Sequence, residues 1–279
     1  MDHHQDFTPG KPIQLRHGLL RVVAPNPGPM TGPGTNTYVL GTASLTVVDP
    51  GPQIEPHIGA VAALGNIEQV LVTHTHRDHS PAARALAQQT GARLLGCSPP
   101  NDGPQDTGFV PDRVLVDGET IDVAGFSLSA VATPGHASNH MCYFVHELGW
   151  LLTGDHIMGG STVVIAPPDG DMSAYLRSLE RLKRLPLKAL LPGHGAMIEQ
   201  PCGAIDALIR HRLGREAKVL SALNAQTEKT LDELLATVYE DVPTTLHPVA
   251  KLSLLAHLQR LESENRAVER DQHWSALAR

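Results

Sequence analysis

Three imidazoles and a carboxylate fall within six residues, at His74, His76, Asp78 and His79, directly after the apolar run Val70-Leu71-Val72. Histidine nitrogen and carboxylate oxygen are the usual donors to zinc. Positions 74, 76 and 78 are two apart, so on an extended backbone they project to one side. His79 leaves that register and suits a second metal if the chain turns there. Ser80-Pro81 ahead of the Ala- and Leu-rich run 82–87 predicts such a turn. Ser80 is then the helix N-cap and Pro81 the first helical residue.

The same residue types recur in Gly-containing contexts: Thr133-Pro134-Gly135-His136, Thr153-Gly154-Asp155-His156 and Pro192-Gly193-His194-Gly195. Each follows an apolar, strand-like run, at 126–132, 150–152 and 190–191. Ligands on short loops at strand ends are what a rigid metal site needs. A single turn histidine is ordinarily a solvated or core-bonded ring. Four clusters with the same flanks point instead to one shared site.

These residues resemble the metallo-β-lactamase-fold superfamily, whose H-x-H-x-D-H signature matches His74, His76, Asp78 and His79 without a gap. The later His, Asp and His elements of that family match His136, Asp155 and His194, and the resemblance covers residues 15–200. It implies one metal held by His74, His76 and His136, and another by Asp78, His79 and His194, with Asp155 bridging. It also implies an α/β fold, a four-layer αββα sandwich of two mixed sheets with helices outside. Asn26-Pro27-Gly28-Pro29-Met30-Thr31 and Gly34-Thr35-Asn36-Thr37-Tyr38 further resemble the lactamase-beta-2-like subfamily, over nearly the whole chain.

At 279 residues the chain accommodates a catalytic domain over 1–200 and a smaller one over 201–279. The pattern predicts strands over 19–24, 37–41, 45–49, 69–73, 93–96, 126–132, 140–145, 150–154 and 188–191. Helices are predicted over 54–64, 80–90 and 172–184. Beyond residue 200 helical periodicity dominates. Ile205, Leu208, Ile209, Leu213, Leu220 and Leu223 are expected on one helix face, Thr230 and Glu233 form a capping box, and a third helix runs from Pro248 to Glu264. A short strand at 266–270 leading to Trp274 completes a pattern resembling a winged helix.

Winged helices often bind nucleic acid through the third helix, which here is expected to expose Lys251, His257 and Arg260. Ten Lys and Arg against eleven Asp and Glu over 201–279 make a weak phosphate-tracking surface. The other roles for this segment are a cap over the active site or a homodimer contact. The net charge of −7 and pI of about 6.1 disfavour a polyanionic partner in general. No run approaches the length of a membrane span, and the N-terminus lacks a secretory pattern. His3 and His4 read as a tail, not ligands. Cys97, Cys142 and Cys202 form no C-x-x-C pair, so reduced thiols in a cytoplasm are expected.

Two divalent ions, zinc first and iron or manganese as alternatives, would share a bridging hydroxide as nucleophile. Asp78 is the candidate catalytic residue that orients it. His140 and His156 are expected to orient ligands, while Asn36, Tyr38, Ser161 and Thr162 are substrate-contact candidates. The favoured function is hydrolysis of a small acyl ester or thioester, the alternative a metal-dependent endoribonuclease cutting single-stranded RNA. RNA binding calls for a positive groove with stacking aromatics, and aromatic content is only 4%. Weak β-lactam hydrolysis and a non-catalytic metal-binding regulator are further alternatives.

Overall fold

Side chains alternate between the two faces of a strand, and the central strands of this chain bury both faces. A computed structural model describes residues 5–277 except 124; His3 and His4 lie outside the described residues. Among the described residues, one sheet runs in sequence order through β1 (Ile13–Arg16), β2 (Leu19–Val23), β3 (Asn36–Gly41), β4 (Leu45–Val48), β5 (Ile67–Leu71), β6 (Arg93–Gly96) and β7 (Arg113–Val114). Helix α1 (Glu55–Ala62) connects β4 to β5, and α2 (Ala82–Thr90) connects β5 to β6. The second sheet contains β8 (Thr120–Val123), β9 (Phe126–Ala132), β10 (Met141–Val145), β11 (Trp150–Gly154) and β12 (Ala189–Pro192), with α3 (Met172–Leu182) between the last two.

In β10, Met141, Tyr143 and Val145 face the other sheet, while Cys142 and Phe144 face the helices. Likewise in β3, Tyr38 and Leu40 point between the sheets and Val39 points towards α1 and α2. The result is four layers, with α1 and α2 outside one sheet and α3 outside the other. Strands β4 and β5 are parallel, as are β11 and β12, and β9 shares the direction of β11 because both are antiparallel to β10. The loops leaving β4 and β5 carry residues 49–51 and 72–80, and those leaving β9, β11 and β12 carry the later clusters. Carboxyl ends of neighbouring strands are where α/β sheets place ligands.

The chain continues through α4 (Pro201–Ala222), β13 (Lys229–Thr230), α5 (Leu231–Val238), α6 (His247–Ser263), β14 (Ala267–Arg270) and β15 (His273–Ala276). The last strands form a small sheet in the order β13-β15-β14, and Thr230 and Glu233 make the expected capping box. Trp274 is buried with Leu234, Leu258 and Val219 in a separate core. One expectation is corrected in α4. Ile205, Leu208 and Ile209 pack on the catalytic sandwich, Leu220 and Leu223 join the C-terminal core, and Leu213 is 44% exposed. The helix passes from one core to the other, so no single apolar face runs its length. Its buried middle is polar, formed by Arg212, Arg215 and Glu216.

The turn after β5 also differs from expectation. The strand ends at Leu71, and the His79 and Ser80 amides both donate to the His76 carbonyl. Asp78 therefore turns away from the register of His74 and His76. Ser80 does not cap α2, because its hydroxyl donates to Asp106 Oδ2 at 2.8 Å. Truncating a side chain held between the sheets leaves a cavity that close packing cannot refill. Leu152→Ala should cost about 2–5 kcal/mol in urea unfolding, whereas exposed Leu213→Ala should cost under about 0.5 kcal/mol.

Candidate metal centre

Two donor sets meet at the common edge of the sheets. His74, His76 and His136 form the first; Asp78, His79, Asp155 and His194 form the second, and within each set the donor atoms lie within 4.8 Å of one another. His76 Nδ1 is 3.0 Å from both His74 Nε2 and His136 Nε2. In the second set, His79 Nε2 and His194 Nε2 are 3.3 Å apart, and His194 Nε2 is 3.1 Å from Asp78 Oδ2. Asp155 faces both sets: Oδ1 lies 3.3 Å from His79 Nε2 and from His194 Nε2, and Oδ2 lies 3.7 Å from His136 Nε2.

The rings are fixed from behind. His136 Nδ1 hydrogen-bonds the Val164 carbonyl at 2.7 Å, and His194 Nδ1 bonds the Gly34 carbonyl at 3.1 Å. His79 Nδ1 lies 2.8 Å from Asp49 Oδ2. Asp49 also accepts from the Thr73 amide and hydroxyl, each at 2.7 Å, so one carboxylate ties β4 to the start of the His74–His79 loop. A carboxylate behind a histidine orients the ring and raises its basicity as a ligand. The sequence reading passed over Asp49. Its signal was an Asp-Pro-Gly turn directly after an apolar strand, with Asp49 at φ 51°.

Asn36 and Tyr38 were expected at the substrate; instead both are buried and brace a ligand loop. Asn36 Nδ2 donates to the Pro192 and Gly195 carbonyls at 2.9 Å, and the Tyr38 hydroxyl donates to Pro192 at 2.7 Å. Between these anchors, Gly193 lies so near the donors that a Cβ would stand 2.7 Å from His79 Cε1 and 3.0 Å from Asp155 Oδ1. Among the described residues, neither His140 nor His156, both expected to orient ligands, hydrogen-bonds one. His140 packs at 5.0 Å against the His74 ring and bonds the Thr133 hydroxyl, not a ligand. Neither ring nitrogen of His156 has a hydrogen-bond partner, and its ring packs on Tyr175.

Electrostatics divide the two sets. Burial, reinforced by neighbouring imidazoles, holds His74 well below the ordinary histidine value and His76 at about 3. Burial also opposes charge on His79 and His194, but carboxylates outweigh it. Asp155, Asp78 and Asp49 raise His79 well above the ordinary value, and Asp155 and Asp78 raise His194 to about 10. The first set is thus a neutral nitrogen cage and the second a carboxylate-rich one. Asp155 Oδ1 is buried without a hydrogen-bond donor. Three imidazoles on one side, a mixed oxygen and nitrogen set on the other, and a carboxylate facing both fit two divalent cations.

The donors open into a cavity of about 280 Å³ lined by His76, Asp78, His136 and Asp155. Its walls are mostly apolar, with Met30, Met158 and Val163 from the sandwich and Val249 and Leu252 from α6. Part of the wall therefore comes from the C-terminal segment. The basic residues expected on the α6 surface are engaged or buried. Lys251 pairs with Asp232, Arg260 pairs with Glu216 and Glu264, and His257 is fully buried. Ser161 and Thr162 are exposed and border an adjoining chamber, not the cavity at the donors. No helix among the described residues is long and apolar enough to cross a membrane.

With this geometry in view, the comparisons are consistent. The Metallo-beta-lactamase superfamily pattern matches residues 30–194, and the Beta-lactamase associated winged helix domain matches 230–274. The chain belongs to the metallo-beta-lactamase superfamily and is a hydrolase of that class. It is 30% identical to the Beta-lactamase-like protein 2 homolog of Drosophila melanogaster, over 91% of this chain and 90% of that one. An atrochrysone carboxyl ACP thioesterase of Aspergillus fumigatus is 34% identical, over 76% of this chain and 67% of its own. A beta-lactamase domain protein from Burkholderia ambifaria shares the fold with a TM-score of 0.82 at 19% identity, covering 97% of this chain and 96% of its own.

Asp49→Asn removes the charge behind His79, and should weaken metal affinity by about 10–100-fold in a chelator competition titration. The ring electrostatics also set the pH response of the chelator-treated protein. Raised His194 contributes stability that is complete below pH 6.5 and is lost as pH rises through about 10. Lowered His76 contributes stability present above pH 6.5 and lost as pH falls through about 3. Denaturant midpoints should therefore decline on both sides of neutrality, and divalent metal should flatten the alkaline decline.

Proposed function

We propose that this protein is a two-metal hydrolase, with zinc as the first choice of ion, acting on an acyl ester or thioester. The observation that carries the reading is the Asp155 carboxylate, with one oxygen towards each donor set at the head of an apolar-walled cavity. His74, His76 and His136 would hold one ion, and Asp78, His79 and His194 the other. Divalent ions at such donors supply Lewis acidity and bring the pKa of water towards neutrality, so no activated serine or cysteine is required.

The protein's own groups do the positioning. Asp78 lines the cavity and is the most open of the carboxylates at the site, with 29% of its side chain exposed. Burial resists its ionisation, but His79 and His194 outweigh burial and hold the carboxyl below its usual range. Asp78 is therefore ionised and can accept a hydrogen bond that orients attacking water, with His194 Nε2 3.1 Å from its Oδ2. Met30, Met158 and Val249 limit water around a bound acyl group, which strengthens electrostatic interactions inside the cavity. In this reading the C-terminal segment caps the site. The A. fumigatus relative named as a thioesterase supports the same substrate class.

The test is one metal-loaded preparation offered a panel of acyl thioesters and esters beside a fluorogenic single-stranded RNA. Thioester or ester turnover should dominate. Asp78→Asn should lower kcat by about 10²–10⁴-fold even at zinc concentrations that elemental analysis shows keep the site loaded. RNA cleavage that is lost in Asp78→Asn, with no acyl turnover, would replace this reading by an endoribonuclease.

A further inference from the structure

Midway along α4, Arg212 is only 4% exposed. One of its terminal nitrogens donates to the Val163 carbonyl, and its Cζ lies 5.4 Å from the centre of the Tyr175 ring. Its Nε is buried without a partner, and among the described residues no carboxylate lies within ion-pair distance of it. Burying a guanidinium is costly unless an anion compensates it. The other buried charges of this helix are compensated, Arg215 by Asp241 at 2.8 Å and Glu216 by Arg260. Arg212 is the exception, and it borders a chamber.

That chamber has a volume of about 270 Å³ and is also lined by Ser161, Thr162 and His211. It adjoins the cavity at the metal donors, since Met30, Met158, Val163, Val164 and Val249 line both. The lining shared by the two cavities is mostly apolar, and the farther one is bordered by the buried Arg212 and Arg215 and by the exposed Ser161 and Thr162. Planar guanidinium groups bind carboxylate and phosphate oxygens in paired hydrogen bonds.

We propose that this chamber is an anion subsite, in which Arg212, with Ser161 and Thr162, binds a carboxylate or phosphate carried by the substrate beyond its scissile acyl bond. The proposal rests on the acyl-hydrolase reading and narrows it. The substrate is an acyl ester or thioester with an apolar linker and an anionic far end. Met30, Met158 and Val249 pack on the linker, and Arg212 replaces the missing internal counter-charge with one from the ligand. Ser161 and Thr162 thereby regain a substrate contact, at the far end instead of at the reacting bond.

The experiment uses metal-loaded wild type, Arg212→Lys and Arg212→Met, with the Ser161→Ala/Thr162→Val double variant as a surface-based control on folding. The substrates are matched aryl thioesters of hexanoate, adipate and 6-phosphooxyhexanoate, and the three acyl groups are titrated calorimetrically as primary amides at the scissile end. An anionic terminus should lower KM by about tenfold or more in wild type with kcat nearly unchanged. The adipoyl and phosphooxy arms identify which anion is preferred. Arg212→Lys should keep part of the preference; Arg212→Met should erase it, and the double variant should weaken it. Equal KM for all three thioesters in wild type, or an anion preference intact in folded Arg212→Met, would overturn the subsite. Without turnover of any thioester the acyl reading fails. In that case tighter binding of the adipate or phosphooxy amide than of neutral hexanamide still supports the subsite, and equal binding overturns it.

Discussion

Burying carboxylates at one edge of a β-sandwich is the constraint on which this structure depends. Asp49 and Asp155 are nearly inaccessible, and Asp78 is half-buried beside them. Such charges are unstable in a low-dielectric interior unless cations or dense hydrogen bonding meet them. Asp49 is satisfied by Thr73 and His79, but Asp155 Oδ1 is buried without a donor while lying between two imidazoles. Donors placed this way could hold divalent ions. The rest of the fold reads as a frame that holds these acids and imidazoles in place against their mutual cost.

The frame works because five strand ends share one edge. Asp49 follows β4, the His74–His79 loop follows β5, and His136, Asp155 and His194 follow β9, β11 and β12. Contacts across the two sheets then set the spacing. Asn36 and Tyr38 on β3 grip the carbonyls of the Pro192–Gly195 loop, more than 150 residues away in sequence. The Tyr143 hydroxyl of β10 holds the Val72 carbonyl at the exit of β5. Gly193 matters for the same reason: its missing Cβ leaves room for His79 and Asp155 to approach.

The donor residues were legible in the sequence because metal ligands must be particular residue types at short intervals. The central strands were legible because both of their faces are apolar. Strands β1, β7, β8, β13 and β15 were not anticipated; all but β15 lie at the edge of a sheet, where short length and partial exposure blur the alternation. Asp49, Asn36 and Tyr38 show a different limit. Their partners lie on distant loops, so residue type alone separates neither an orienting carboxylate from a surface one nor a loop brace from a substrate contact. Arg212 is the extreme case: a helical Arg reads as solvated until the packing of α4 between two cores shows it buried.

The central claim is that Asp155 joins two donor sets into one two-metal centre. Anomalous diffraction from zinc-loaded crystals, recorded on either side of the zinc edge, tests it directly. The account predicts two zinc peaks, one among His74, His76 and His136 and one among Asp78, His79 and His194, with Asp155 contributing one oxygen to each. A single peak at full zinc loading, or two peaks with Asp155 turned away from either, would contradict it.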